Sequence, residues 1–188
     1  MKGNILIINT NPELSKLAYH IKKNIYNQNF KLLKNNIFFS DCGWTNGTLT
    51  NSNKVFNKIK TFRNFYMNYN TFLLENNIIF PAYTKLKKNY KGFIPNYSNN
   101  DKITSLHIKN DFKPDLIVFL SITNCKPIIK EANSLNIPII GFVDNNSFID
   151  DIQYPIFGNT RFYLLIWFFF TLITKITNYT YGRSKKTK

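Results

Sequence analysis

Four short apolar runs punctuate the chain, at residues 5–8, 37–39, 116–120 and 137–143. Each is rich in Ile, Val, Leu and Phe and is bounded by Pro, Asn or Asp, the pattern of strands buried on both faces. Residues 126–135, between the last two runs, carry apolar positions at helical spacing. A strand, a helix of about ten residues and a strand form a βαβ unit, so this pair is expected to be parallel. The first two runs repeat the arrangement. Thr10-Asn11-Pro12-Glu13 offers a capping side chain, a proline in the first turn and an acid at the positive helix end. Leu14, Leu17, Ala18, Ile21 and Ile25 then recur at helical spacing. The pattern predicts an α/β fold: a parallel sheet flanked by helices.

The second run leads into Gly43-Trp44-Thr45-Asn46-Gly47-Thr48-Leu49-Thr50-Asn51, a structured loop in which Thr50 or Asn51 is expected to cap the next helix. In that helix Val55, Ile59, Phe62 and Tyr66 make one apolar line, and Lys54 and Lys58 a basic line beside it, with Lys60 and Arg63 nearby. Beyond it the pattern weakens. Tyr, Phe and Asn alternate, Pro81 and Pro95 interrupt any long helix, and Lys85, Lys87, Lys88 and Lys91 cluster around Tyr83 and Tyr90. This is an excursion from the sheet, part helix and part loop, over about residues 66–110.

After the βαβ unit comes Tyr154-Pro155-Ile156-Phe157-Gly158-Asn159, with Asn159 expected to cap a terminal helix. Leu165, Ile166, Phe169, Leu172, Ile173 and Ile176 take one side of it, and Tyr163, Trp167, Phe168 and Phe170 make the other side apolar too. Such a helix is expected to be deeply buried or covered by a partner. Its apolar core, 162–173, falls short of the roughly 20 residues that span a bilayer, so no membrane insertion is expected. The organisation is one domain over 1–180 and a basic tail over 181–188, open until it meets an anion.

Composition adds a partner class. The 188 residues carry a net charge of +15, which favours a polyanion, either nucleic acid or an anionic membrane surface. Cys42 and Cys125 are far apart and without metal spacing, so neither a disulfide framework nor a metal site is expected. Asn, Lys, Ile, Phe and Tyr are heavily used, which suits an AT-rich coding sequence. Met1-Lys2-Gly3-Asn4 leads straight into the first run, so no signal peptide is expected.

Parallel sheets bind ligands at the carboxyl ends of their strands. The first such loop, Asn9-Thr10-Asn11, has no Gly-rich cradle, and neither a Gly-x-Gly pair nor a P-loop occurs. Asp144 reads as a turn cap, Asp150 and Asp151 as a solvated turn, and Cys125 as a structural thiol. His20 and His107 lack a nucleophile or metal partner in sequence. No catalysis and no cofactor are expected. The basic residues carry more: Lys54, Lys58 and Arg63 on one helix, Lys85, Lys87 and Lys88 among tyrosines, Arg183, Lys185 and Lys186 at the end. Cations hold phosphates and aromatic rings stack on unpaired bases.

The loop 43–51 resembles the Trp-x-x-Gly-x-Leu-Thr-Asn signature of the small-subunit ribosomal protein S-two family. Pro114-Asp115-Leu116-Ile117-Val118, then Glu131-Ala132, Leu135-x-Ile137-Pro138 and Val143-Asp144-x-Asn146, then Tyr154-Pro155-Ile156 with Gly158-Asn159, follow in that family's order and spacing. Phe157 stands where the family usually has proline, and the family's long charged hairpin is replaced by residues 66–110. The resemblance implies a flavodoxin-like sheet with a reduced, divergent helical excursion. It implies a structural, non-catalytic constituent of the small ribosomal subunit, with ribosomal RNA and neighbouring subunit proteins as partners. Length and composition look like a mitochondrially encoded member, which places it in the matrix, in the mitoribosome, supporting mitochondrial translation. Trp44 and Thr48 are expected to shape or touch the RNA, packing of Trp44 on the sheet being the equal alternative. Two other readings of the residues stay open: an enzyme taking a small phosphorylated ligand near Thr123, Asn124 and Asp144, and a membrane-associated protein using 162–173 and the basic tail.

Overall fold

The computed structural model describes residues 3–27, 37–41, 44–78, 80–89, 113–145 and 147–186. Five strands, β1 (Ile5–Asn9), β2 (Ile37–Asp41), β3 (Leu116–Phe119), β4 (Ile139–Val143) and β5 (Tyr154–Phe157), form one sheet in the order β2-β1-β3-β4-β5. All four pairings are parallel, with Ile7 opposite Phe39 and Val118, and Phe119 opposite Gly141. Both expected parallel pairs form, although β3 separates β1 from β4 in the sheet. β5 was hidden in sequence because Pro155 interrupts it. It lies at the sheet edge, where a missing ladder N–H is tolerated.

Successive strand residues point to opposite faces, and the core divides accordingly. Leu6, Ile8, Ile117, Phe119, Ile139 and Val143 pack on one face with Ile128, Ile129 and Ala132 of α4 (Lys126–Ser134) and with Leu49. Ile7, Val118 and Phe142 pack on the other with Leu14, with Ala18 and Ile21 of α1 (Ser15–Asn27), and with Ile166 and Phe170 of α5 (Tyr163–Lys186). The result is a helix–sheet–helix sandwich. The helix start before α1 forms as read, with Asn11 accepting from the Glu13 N–H and Pro12 opening a short 3-10 turn.

The terminal helix differs from expectation. Ile166 and Phe170, read onto different sides of the helix, are both buried, whereas Phe162, Tyr163, Leu164, Phe168 and Leu172 are exposed. One face is embedded, because the sheet offers a single apolar surface there. No helix among the described residues is long and apolar enough to cross a membrane. Asn159 caps the turn before α5, its side chain accepting from Arg161 N–H. The helix runs to Lys186, so helical backbone replaces the open tail expected over 181–186.

The excursion opens with a longer helix than its pattern indicated. α2 (Ser52–Glu75) spans 24 residues, and Pro81 opens α3 (Pro81–Asn89), as suits a proline in a first turn. Asn51 stands at the cap position of α2, but its side chain makes no capping bond. Residues 90–112 lie outside the description. Among the described residues three asparagines, Asn77, Asn124 and Asn136, take positive φ. Asn is the side-chain-bearing residue best suited to that conformation, and in a chain with only seven glycines it does part of their work.

Candidate functional site

The strand ends, where an α/β enzyme would hold its ligand, are occupied by the protein's own polar groups. Asn9 is buried and donates to the Asp41 carboxylate at 2.7 Å, while its side-chain oxygen accepts from Asn11 N–H. Thr10 donates to the Thr123 carbonyl at 2.8 Å, bridging the gap between β1 and β3. The hydroxyls of Ser121 and Thr123 pair with each other. Asp144 accepts from Ser147 at 2.6 Å and from Thr160 at 3.1 Å, tying the end of β4 to the approach to α5. These groups act as turn and cap chemistry. Of the groups in the phosphorylated-ligand alternative near Thr123, Asn124 and Asp144, the Thr123 hydroxyl and the Asp144 carboxylate are already paired. No cluster of three His, Cys, Asp or Glu side chains suited to a metal occurs among the described residues.

Two titratable groups are perturbed there. Burial lowers the Lys22 ammonium from its ordinary range, partly offset by Asp41. Burial pushes the Cys125 thiol up to about 11, against a smaller opposing hydrogen bond from Thr10. Cys125 is enclosed and lies 3.3 Å from the Ser121 carbonyl. A thiol held this way is protonated at neutral pH and a poor nucleophile, which agrees with the structural reading.

The basic candidates lie elsewhere. Lys54, Lys58 and Lys60 are exposed on α2, and Lys85 is exposed on α3. Arg63, Lys87 and Lys88 fall on the same two helices, but their side chains lie outside the description; the same holds for Arg183, Lys185 and Lys186 at the end of α5. Lys54 and Lys58 are one helical turn apart on one face, as their spacing predicts. Val55, Phe56, Ile59 and Phe62 on another face form a small core of their own with Tyr66 and Tyr83. Tyr83 reaches back from α3, stacking on Tyr66 at 6.4 Å between centroids and donating to Asn70 at 2.8 Å. Beside this core runs an apolar groove of about 770 Å³, walled by Phe62, Phe65, Phe80, Tyr83 and Leu86 with Lys58 at its side.

Trp44 and Thr48 face inward. Trp44 is half-buried and packs against the core on the α4 side of the sheet. Its enclosed indole N–H has no hydrogen-bond partner among the described residues. Thr48 is buried, and its hydroxyl donates to the Thr45 carbonyl within the loop. Thr48 therefore shapes the loop and does not reach out of it. Gly47 has φ +86°, a conformation side-chain-bearing residues rarely adopt, and its carbonyl accepts from Asn51 at 2.8 Å just before α2 begins.

Periodicity gave no warning of Glu131. Its two carboxylate oxygens accept separately from Gly47 N–H at 2.5 Å and Leu49 N–H at 3.1 Å, across more than eighty residues of sequence. The one signal in the sequence was that Glu131 and the loop belong to the same set of ordered motifs.

A family model described as "Ribosomal protein S2" matches residues 1–178. The chain is 28% identical over 180 residues to the small ribosomal subunit protein uS2m of Marchantia polymorpha, a match covering 93% of this chain and 65% of that protein. It is 36% identical over 117 residues to the small ribosomal subunit protein uS2 of Wolbachia pipientis, covering 62% of this chain and 40% of that one. Against uS2 of Rickettsia massiliae it is 34% identical over 119 residues, covering 62% and 37%. The matches therefore span less than two thirds of these relatives' own lengths.

Proposed function

The chain belongs to the ribosomal protein S2 family, and from that premise we propose that it is a structural constituent of the small ribosomal subunit that binds ribosomal RNA. The family match along nearly the whole chain is the observation that carries this reading. The geometry is consistent with it: strand-end groups are consumed in holding the scaffold, while Lys54, Lys58 and Lys85 stand exposed on helices outside it. The sheet is then a frame, and the chemistry is phosphate neutralisation by side chains hung from that frame. Arg63, Lys87, Lys88, Arg183, Lys185 and Lys186 join the set by charge and by position on helices. Neighbouring proteins of the subunit are its other partners.

Mitochondrial translation is the setting we favour, because the plant mitochondrial relative aligns along 93% of the chain and the bacterial ones along 62%. Sedimentation of tagged protein from organelle lysate tests both statements. Co-migration with small-subunit RNA is expected, and its absence would sink the reading. In a finer test, Lys54→Glu with Lys58→Glu weakens association and lowers its salt slope by about one per lysine. An unchanged slope would remove this helix face from the contact.

A further inference from the structure

We propose that Glu131 is a positioning residue that fixes how the α2–α3 arm leaves the sheet and so where Lys54 and Lys58 are presented. The inference rests on the RNA-binding reading only for its last step.

Among the described residues, the apolar packing of the arm is largely its own. The buried residues of α2 belong to neither sheet core: Val55, Phe56, Ile59 and Phe62 close on Tyr66 and Tyr83 instead, and Leu73 is buried further along the helix. The loop ahead of α2 is the attachment. Its internal bonds, Thr48 N–H to Thr45 and Asn51 N–H to Gly47, give the loop its shape but do not tie it to the body. Leu49 and Trp44 do reach the core, yet apolar contacts are weakly directional. Glu131 supplies direction. One carboxylate receives two N–H groups two residues apart, one per oxygen, and both bonds are charge-assisted.

The post that carries this carboxylate is itself fixed. Ile128, Ile129 and Ala132, the near neighbours of Glu131 on α4, are buried in the sheet core. Gly47 completes the fit, because its positive φ turns the backbone at the residue that donates the shorter bond. An acid is otherwise unfavourable beside a surface meant for phosphates. Here its oxygens are engaged by backbone donors, and the cost in charge is set against a fixed geometry.

Pulse electron spin resonance reads the arm's placement without RNA. Spin labels go on exposed Lys60→Cys in α2 and Lys16→Cys in α1, in a Cys42→Ser background where buried Cys125 stays unlabelled. The otherwise native protein is expected to give one narrow distance distribution. Glu131→Ala broadens it and speeds amide exchange at Gly47 and Leu49 by about tenfold or more, with Val118 unchanged. Glu131→Gln keeps the side-chain volume and one accepting oxygen, so it shows the same changes at smaller amplitude and serves if the alanine variant fails to fold. Affinity for small-subunit RNA then falls several-fold in the order native, Gln, Ala, with a shallower salt slope. Unchanged distances in both variants would overturn the positioning role. Broadened distances with unchanged affinity and slope would overturn its link to RNA. A native protein that ignores RNA altogether contradicts the proposed function and leaves the distance result to decide on Glu131.

Discussion

Phe119 and Phe62 are both buried rings, but they sit in differently built regions. Phe119 lies in β3, the middle strand, with α4 and the strands on either side closing over it. Phe62 lies on α2, in a core of four buried residues closed by two tyrosines. Around Phe62 the surface stays apolar: Phe65, Phe80 and Leu86 line the groove beside it and are exposed. Hydrophobic content does not separate the two regions. What separates them is whether a second layer exists to receive the apolar face. The sheet receives layers on both sides and is self-sufficient. Among the described residues the arm closes one narrow seam, and its loop carries the contacts with the sheet core.

The largest test of this difference uses the two rings. Phe119→Ala should cost about 3–5 kcal/mol and lower the urea midpoint reported by tryptophan fluorescence. Both tryptophans, Trp44 and Trp167, pack against the sheet cores, so that signal belongs to the body. Phe62→Ala should leave that midpoint in place and accelerate amide exchange along α2 alone. Equal shifts for both variants would mean that arm and body unfold as one unit, and the comparison would fail.

The same difference governs how much could be read in advance. β1 to β4 were legible because a strand covered on both faces must be a short, nearly continuous apolar run, and little else looks like one. Their parallel pairing followed from the helices between them. β5 was not legible, because an edge strand needs neither a continuous run nor every N–H. α5 misled for a related reason: all its faces are apolar, so periodicity could not say that Ile166 and Phe170 face the sheet while Phe168 does not. On the arm the apolar line Val55, Ile59, Phe62 and Tyr66 was visible, but α2 continues through Asn-rich residues to Glu75. Of the site, the exposed lysines were legible from charge and spacing. The inward turn of Thr48 and the reach of Glu131 were not, since both depend on residues brought together by the fold.

A second test confines itself to the body and is read with pH. The Cys125 thiol sits at about 11 in the folded protein against an ordinary 9.0. Below the lower value both states hold the proton and the contribution is complete. Between the two the unfolded chain releases its proton while the folded one keeps it, so stability falls as pH rises. Each tenfold difference in proton affinity between the two states is worth about 1.4 kcal/mol, so the loss amounts to about 2–3 kcal/mol. Denaturant titrations at pH 8 and pH 11 should show the native protein losing this much more than Cys125→Ala. An equal loss in both would mean that the thiol is not held as the body's packing indicates.

The smallest effect gives the sharpest comparison, because one motif ends a helix in each region. α4 closes with Asn136 at φ +53° and Ile137 N–H donating to the Ala132 carbonyl at 3.0 Å. α2 closes with Asn77 at φ +52° and Ile78 N–H donating to the Leu73 carbonyl at 3.0 Å. The backbone geometry is the same, but Ile137 is buried and Ile78 is exposed. Replacing either asparagine by alanine imposes a left-handed strain of about 1 kcal/mol. In Asn136→Ala that strain should appear in the stability of the whole body, because Ile137 anchors the turn in the core. In Asn77→Ala it should appear only as faster exchange over the last turn of α2, since the exposed Ile78 does not anchor the turn in the body. Similar global losses from both variants would show that the arm's end is coupled to the sheet by contacts outside its loop.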